Sequence, residues 1–255
     1  MRRLSLVSIC VLAASFLGGQ AFAQPSRHFK RTAFAGVSFS YGSSLAHRVV
    51  GARGHLSIDL GGTTIPAIDF SFSGYLVKSV PTYAPPEIQI FAANTGTLLK
   101  NPDARTSIVP EIHQLRNLLA AHRPLTGLQA IPYVLPRMDS AERIVSRAHY
   151  IHFKDGSGIA FVTAMGMRVG RISNATPVVW AFRGLTSDGR WVIAADFPLR
   201  VSALPNTSPP GQGDWRRRDL KVQAMLNRLP DHAFVPYLSN LDRVASSLSV
   251  HPTSL

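Results

Sequence analysis

Between residues 150 and 198 apolar side chains alternate more densely than anywhere else in the chain. The stretch reads as strand, turn, strand, loop, strand, turn, strand. Successive side chains of a strand point to opposite faces, so each run sorts into two sets. Over 159–165, 178–183 and 191–197 one set is bulky: Ile159, Phe161, Met165, Val178, Trp180, Phe182, Trp191, Ile193 and Phe197. The other is small: Ala160, Val162, Ala164, Val179, Ala181, Val192 and Ala194. The pattern predicts a sheet with one bulky face and one thin face, both apolar and therefore both covered.

The turns test the register. Asp188-Gly189 favours a two-residue type I′ hairpin, because glycine accepts positive φ. That turn pairs Trp180 with Phe197, Phe182 with Ala195, Thr186 with Trp191, Ala181 with Asp196 and Arg183 with Ala194. Arg183 and Asp196 then lie diagonally on the thin face, as a structural ion pair at the sheet margin. Around Asp155-Gly156 a loop one residue longer than a two-residue Asp-Gly turn is preferred, since it puts Ile151 and Phe153 on the bulky face.

The rest of the chain reads as material laid over this sheet. Alternation predicts strands at 34–41, 55–60, 68–77 and 87–91, with 45–50 either a short helix or a strand. Ile108, Ile112, Leu115 and Leu119 recur at helical spacing, with Leu118 widening the stripe and Pro110 in the first turn. Residues 130–137 read as an ordered loop, and Asp139-Ser140-Ala141-Glu142 has capping-box spacing that predicts a short helix. Two further helices follow, one at 215–229 carrying Leu220, Met225 and Leu229, and one at 236–248 carrying Leu238, Leu241 and Leu248, with Phe234 just ahead of it. The fold class is α+β, a mainly antiparallel sheet covered by helices in a single domain.

Composition adds compartment and partner. Met1-Arg2-Arg3, an apolar run to Leu17 and Ala21-Phe22-Ala23 read as a secretory signal peptide cleaved after Ala23. Residues 1–23 are thus the leader, 24–200 the sheet domain, 201–214 a linker rich in proline and glycine, and 215–255 a helical segment packing on the same domain. The product is expected in the periplasm or outside the cell, with no transmembrane segment after cleavage. The single cysteine, Cys10, leaves with the leader, so neither disulfide nor thiol chemistry is expected. The formal charge is +13, and only Lys30, Lys78, Lys100, Lys154 and Lys221 among the basic residues are lysines. An exported, arginine-rich protein is drawn to anionic lipid head groups or envelope polymers, whereas nucleic acid is not an expected partner.

Catalytic and metal motifs are missing: there is no Gly-x-Ser-x-Gly, Ser-x-x-Lys, His-Glu-x-x-His or phosphate-cradling loop, and no cofactor is expected. The candidate anion-binding residues are Trp215, Arg216, Arg217 and Arg218, extended by Arg168 and Arg171. The plainer reading of that run is a solvated helix start with Asp214 as its N-cap and Trp215 packed on the sheet. A hydrolase built from scattered residues is the alternative, and it requires a pocket that sets a nucleophile or carboxylate beside a histidine such as His149 or His152. A structural or assembly subunit is the third reading. His149 and His152, three apart on a strand, face opposite ways and do not share a metal.

Tyr150-Ile151-His152-Phe153, Gly156-Ser157-Gly158-Ile159, Ile172-Ser173-Asn174, Gly184-Leu185-Thr186-Ser187-Asp188-Gly189 and Phe197-Pro198 carry a resemblance. So do Val37-Ser38-Phe39-Ser40-Tyr41 with Leu45-Ala46, and Phe234-Val235-Pro236 with Leu241-Asp242. On these residues the chain is similar to a family of uncharacterised bacterial exported proteins. The resemblance implies one exported domain, and it brings no catalytic residues.

Overall fold

A computed structural model of the chain describes residues 28–57, 62–77, 85–94, 96–135, 141–166, 170–207 and 214–253. The expected leader at 1–23 lies outside the described residues, as do Asp139, Ser140 and Arg168. In chain order the elements are β1 (Phe29–Phe34), β2 (Val37–Gly42), β3 (Arg48–Ser57), β4 (Thr64–Ser73), β5 (Glu87–Ala92), α1 (Gly96–Lys100), α2 (Pro102–Thr106) and α3 (Ile108–Ala121). They continue with β6 (Ala141–Glu142), β7 (Ser146–Phe153), β8 (Gly156–Gly166), β9 (Val178–Thr186), β10 (Trp191–Val201), α4 (Trp215–Arg228), β11 (Phe234–Val235), α5 (Leu238–Ser246) and β12 (Ser249–Val250).

The large sheet runs β3-β4-β5-β10-β9-β8-β6, with β7 also on β8 and β11 on β10; a small sheet runs β1-β2-β12. Every pairing among the described residues is antiparallel. The class is α+β with mostly antiparallel sheet, as the alternation predicts. Among the described residues no helix is long and apolar enough to cross a membrane.

Two apolar clusters flank the large sheet. One gathers Phe70, Phe72, Trp180, Phe182 and Phe197 with Phe39 of the small sheet and with Leu226, Leu238, Leu241 and Val244 of the last two helices. Its rings meet at close range, Phe72 edge-on to Phe197 at 4.8 Å and Phe39 edge-on to Phe70 at 5.0 Å. The other gathers Phe91, Ile159, Phe161, Val179, Ala181 and Val192 with Leu98, Ala104, Ile108, Ile112 and Leu115 of the first three helices. The helical stripe read at 108–119 is therefore the face of α3 that packs, although Leu118 and Leu119 stay only partly buried.

The β9–β10 register is the expected one: Trp180 opposes Phe197, Phe182 opposes Ala195, Ala181 opposes Asp196 and Arg183 opposes Ala194. The turn that sets it is not type I′. Gly189 has φ +67° but Asp188 stays out of the left-handed region. Side chains hold the turn instead: Thr186 Oγ1 donates to Asp188 Oδ1 at 2.6 Å, and Trp191 N donates to Thr186 Oγ1 at 3.0 Å.

The division into a bulky and a thin face does not hold. β8 is turned over relative to that expectation: Ala160 opposes Phe182, Val162 opposes Trp180 and Phe161 opposes Ala181. Ile159, Phe161 and Met165 share a cluster with Val179 and Ala181, while Ala160, Val162 and Ala164 lie with Trp180. Large residues therefore face small ones across the strands. The Phe182 ring lies where a Cβ on Gly158 or Gly184 would be, so only glycine fits beside it. At the neighbouring turn Phe153 pairs with Gly156, which leaves Lys154-Asp155 as the loop rather than the longer one expected. Ile151 and Phe153 nonetheless pack on the Trp180 side, as that loop was meant to achieve.

Other boundaries shift. Residues 141–142 are the strand β6, not a helix. Leu45 lies in a turn and Arg48 opens β3. The first part of the expected linker is packed: Leu204 is buried, and the Asn174 side chain bonds the backbone of Val201 and Leu204.

Candidate functional site

Helix α4 starts where Asp214 accepts from the backbone N–H groups of Arg216 and Arg217, the N-cap read from the sequence. The apolar stripe expected on it is wrong in one position: Leu220 is 53% exposed, while Leu226 is buried. What faces the sheet is also polar. Asp219 bonds Arg143 through both carboxylate oxygens at 2.7 and 3.0 Å. Gln223 Oε1 accepts from Val145 N at 3.2 Å, and Asn227 Oδ1 accepts from Arg147 N at 2.7 Å. Positions 219, 223 and 227 are thus matched to 143, 145 and 147. Four residues of helix rise about 6 Å and two residues of strand about 6.6 Å, so the two ladders stay in step.

The seam coincides with an irregularity in the sheet. The register of β7 on β8 shifts between Ser146 and His149. Arg147, inside that bulge, has φ +56°, an uncommon conformation for a residue with a side chain. The bulge turns Arg147 N to Asn227, while the Arg147 guanidinium donates through Nη1 to the carbonyls of Asn227 and Leu229.

A groove follows the seam. One cavity of about 740 Å³ lies between residues 125–127, the bulge and the start of α5, and takes in Arg147, His149, Asn227, Asp231, Ser239 and Asp242. A second, of about 490 Å³, takes in Gln129, Glu142, Arg143, Trp215, Arg216 and Asp219. Gly127 and Gln223 line both, so the two run together along α4.

Of the residues singled out in the sequence, Trp215 and Arg216 line this groove, with Arg216 Nη2 donating to Gln129 Oε1 at 3.1 Å. Arg217 is exposed, 3.8 Å from Asp214, and Arg218 is half-buried; neither lines the groove. Arg171 sits in the β8–β9 connection, where its carbonyl accepts from Thr176. Arg168 lies outside the described residues. The residues missed are Arg147, Gln129, Gln223 and Asn227.

His149 stands in the larger cavity beside a carboxylate. Its Nδ1 lies 2.8 Å from Arg147 O and its Nε2 3.3 Å from Asp242 Oδ2. A carbonyl and a carboxylate both accept, so this setting favours the doubly protonated ring. The hydrogen bond to Asp242 raises the His149 pKa against the cost of burial, in agreement with this geometry. Ser239 donates to Asp231 at 2.7 Å rather than to the histidine. Among the described residues of this cavity no hydroxyl nucleophile is bonded to His149. His152 faces away, stacked on His122 at 5.8 Å. Among the described residues no group of three or more His, Cys, Asp or Glu could hold a metal ion.

Behind the smaller cavity lies a charged cluster. Arg183 is fully buried, not marginal; it reaches Asp196 at 3.0 Å and Glu142 at 3.4 Å, and lies over the rings of Tyr133 and Phe161. Burial pushes the Glu142 carboxyl up to about 8, with Asp196 and Glu111 adding and Arg183 opposing. Burial, with Asp196 and Asp69 nearby, pushes Glu87 up to about 7. One guanidinium cannot neutralise all these acids, so some keep their protons. Glu142 belongs to both the cluster and the groove wall.

No protein-family model matches the chain, and a search of curated proteins returns no match.

Proposed function

We propose that this is an exported, non-catalytic binding protein, a single domain whose helices cover its sheet, and that it holds an anionic polymer in the groove along α4. The observation that carries the reading is the distribution of charge in that groove. Arg216 stands at one end and Arg147 at the other, whereas Asp219, Asp231 and Asp242 are each bonded to protein donors. The leader-like start, the similarity to exported proteins and the formal charge of +13 support the same reading. A groove admits a chain but not a flat array of head groups, which favours an envelope polymer over a lipid surface.

The hydrolase alternative has the pocket it requires, with His149 beside the Asp242 carboxylate, but it also needs a ring nitrogen free to act as a base, and both nitrogens of His149 face acceptors. The assembly-subunit alternative requires a contiguous apolar patch, for which the exposed Phe29, Val50, Leu76, Leu99, Leu220, Val235 and Tyr237 are the candidates.

The test is equilibrium binding of the chain from residue 24 onward to dextran sulfate, neutral dextran and phosphatidylglycerol vesicles. Dextran sulfate is expected to bind, neutral dextran not, and affinity to fall about tenfold or more between 50 and 300 mM salt. Arg216→Ala is expected to weaken the complex several-fold. Binding insensitive to salt and to Arg216→Ala, or vesicle binding that exceeds polymer binding, overturns the proposal.

A further inference from the structure

Which atoms the groove offers to a ligand follows from what its side chains already bond. A backbone N–H and a guanidinium can only donate, so each partner atom must be an acceptor. Val145 N therefore fixes Gln223 Oε1, Arg147 N fixes Asn227 Oδ1, and Arg216 Nη2 fixes Gln129 Oε1. None of the three amides can be flipped without setting donor against donor. Their NH2 groups have no protein partner among the described residues, and the Arg147 guanidinium makes its bonds through Nη1 alone.

The acceptors are in the opposite condition. Asp219 receives Arg143 on both oxygens. Asp231 receives Ser239 N on one oxygen and Ser239 Oγ on the other. Asp242 receives Trp180 Nε1 on one and faces His149 with the other. The groove thus presents open amide and guanidinium donors, while each oxygen of its three aspartates already faces a protein partner and Glu142 is held by Arg183 through Oε1.

From this we infer that the ligand is a carboxylated polysaccharide, a chain of uronic acid units, with Arg147 receiving a carboxylate and Gln129, Gln223 and Asn227 donating to sugar oxygens. The inference rests on the groove reading above and names its substrate class. A glycan brings ring, glycosidic and carboxylate oxygens that only accept, and hydroxyls that accept from the groove while turning their O–H to solvent. A peptide brings an N–H at almost every residue and needs the acceptors this groove has used. A planar monoanion matches the guanidinium fork, and beside Asp231 and Asp242 it is repelled less than a phosphate dianion. Trp215 lines the far end of the groove.

The experiment is calorimetric titration of the chain from residue 24 onward with oligogalacturonate, its methyl ester, polyglutamate and polyphosphate. Oligogalacturonate is expected to bind at least about tenfold tighter than the ester and tighter than the other two. Two variants are chosen to keep the fold. Asn227→Asp retains the oxygen that accepts Arg147 N and replaces the open donor with an anionic oxygen. Arg147→Gly suits the positive φ and removes the fork. Both are expected to weaken oligogalacturonate binding about tenfold, and Arg147→Gly to abolish discrimination against the ester, with circular dichroism unchanged. Equal binding of acid and ester, preference for polyglutamate or polyphosphate, or retained discrimination in Arg147→Gly overturns the inference. If dextran sulfate still binds with its salt and Arg216 dependence, the groove reading stands without it; if no polyanion binds the parent chain, both fall.

Discussion

Burial raises the Glu142 carboxyl pKa, and this sets the sign of the pH dependence. Its folded pKa of about 8 and that of Glu87, about 7, lie above the usual 4.5. A group raised on folding contributes its full stability below the unfolded value and loses it as pH rises through the folded one. The Asp242-bonded His149 is also raised and has the same sign, while Asp188, which Thr186 and the turn backbone hold low, acts only below about pH 4. Denaturant midpoints are therefore expected to fall between pH 5 and pH 8.5, and Glu142→Gln is expected to flatten the slope. A midpoint that climbs across this range, or a slope untouched by Glu142→Gln, would contradict the burial of that carboxyl. Arg183 and Asp196 could be paired from the sequence because both lie on one hairpin. Glu142, from another strand, could not, since residues 139–142 carry a capping-box spacing whose helical reading is overridden by pairing with β8.

The helix-to-strand seam is the element most exposed to a single substitution. Arg143 and Asp219 are paired out of water, with side-chain exposures of 1% and 5%. Asp219→Ala leaves a buried guanidinium with only the Gly170 carbonyl, and is expected to cost about 3–5 kcal/mol. Denaturation of that variant beside Arg143→Met/Asp219→Leu checks it, the double variant recovering most of the loss. Backbone amides of Val145 and Arg147, held by side-chain oxygens of α4, are expected to exchange faster in Asp219→Ala. The cationic start of α4 was readable because Trp215-Arg216-Arg217-Arg218 is dense. Its functional stretch was not, because Gln223 and Asn227 are ordinary polar residues until the helix lies along a strand. The four-residue spacing against the two-residue spacing at 143, 145 and 147 was the signal available, and it has meaning only once the two segments are known to meet.

At the scale of the whole molecule, periodicity tells which residues of one strand share a face, but not which face they share with a neighbour. The β9–β10 hairpin was readable because a short turn ties the two strands. β8 joins β7 through Lys154-Asp155 and β9 through a long connection, and its orientation is decided by where Phe182 finds glycine. Both clusters rest on one shared sheet, whose border at β6 and β7 is closed by side chains of α4, not by another strand. A chain ending at Thr207 keeps the β5, β10, β9 and β8 ladders but bares the amides of Val145 and Arg147. Unclosed strand borders recruit other chains. Such a fragment is expected to sediment as concentration-dependent polymers where the full chain stays at one size, so α4 acts as a chain terminator for sheet growth.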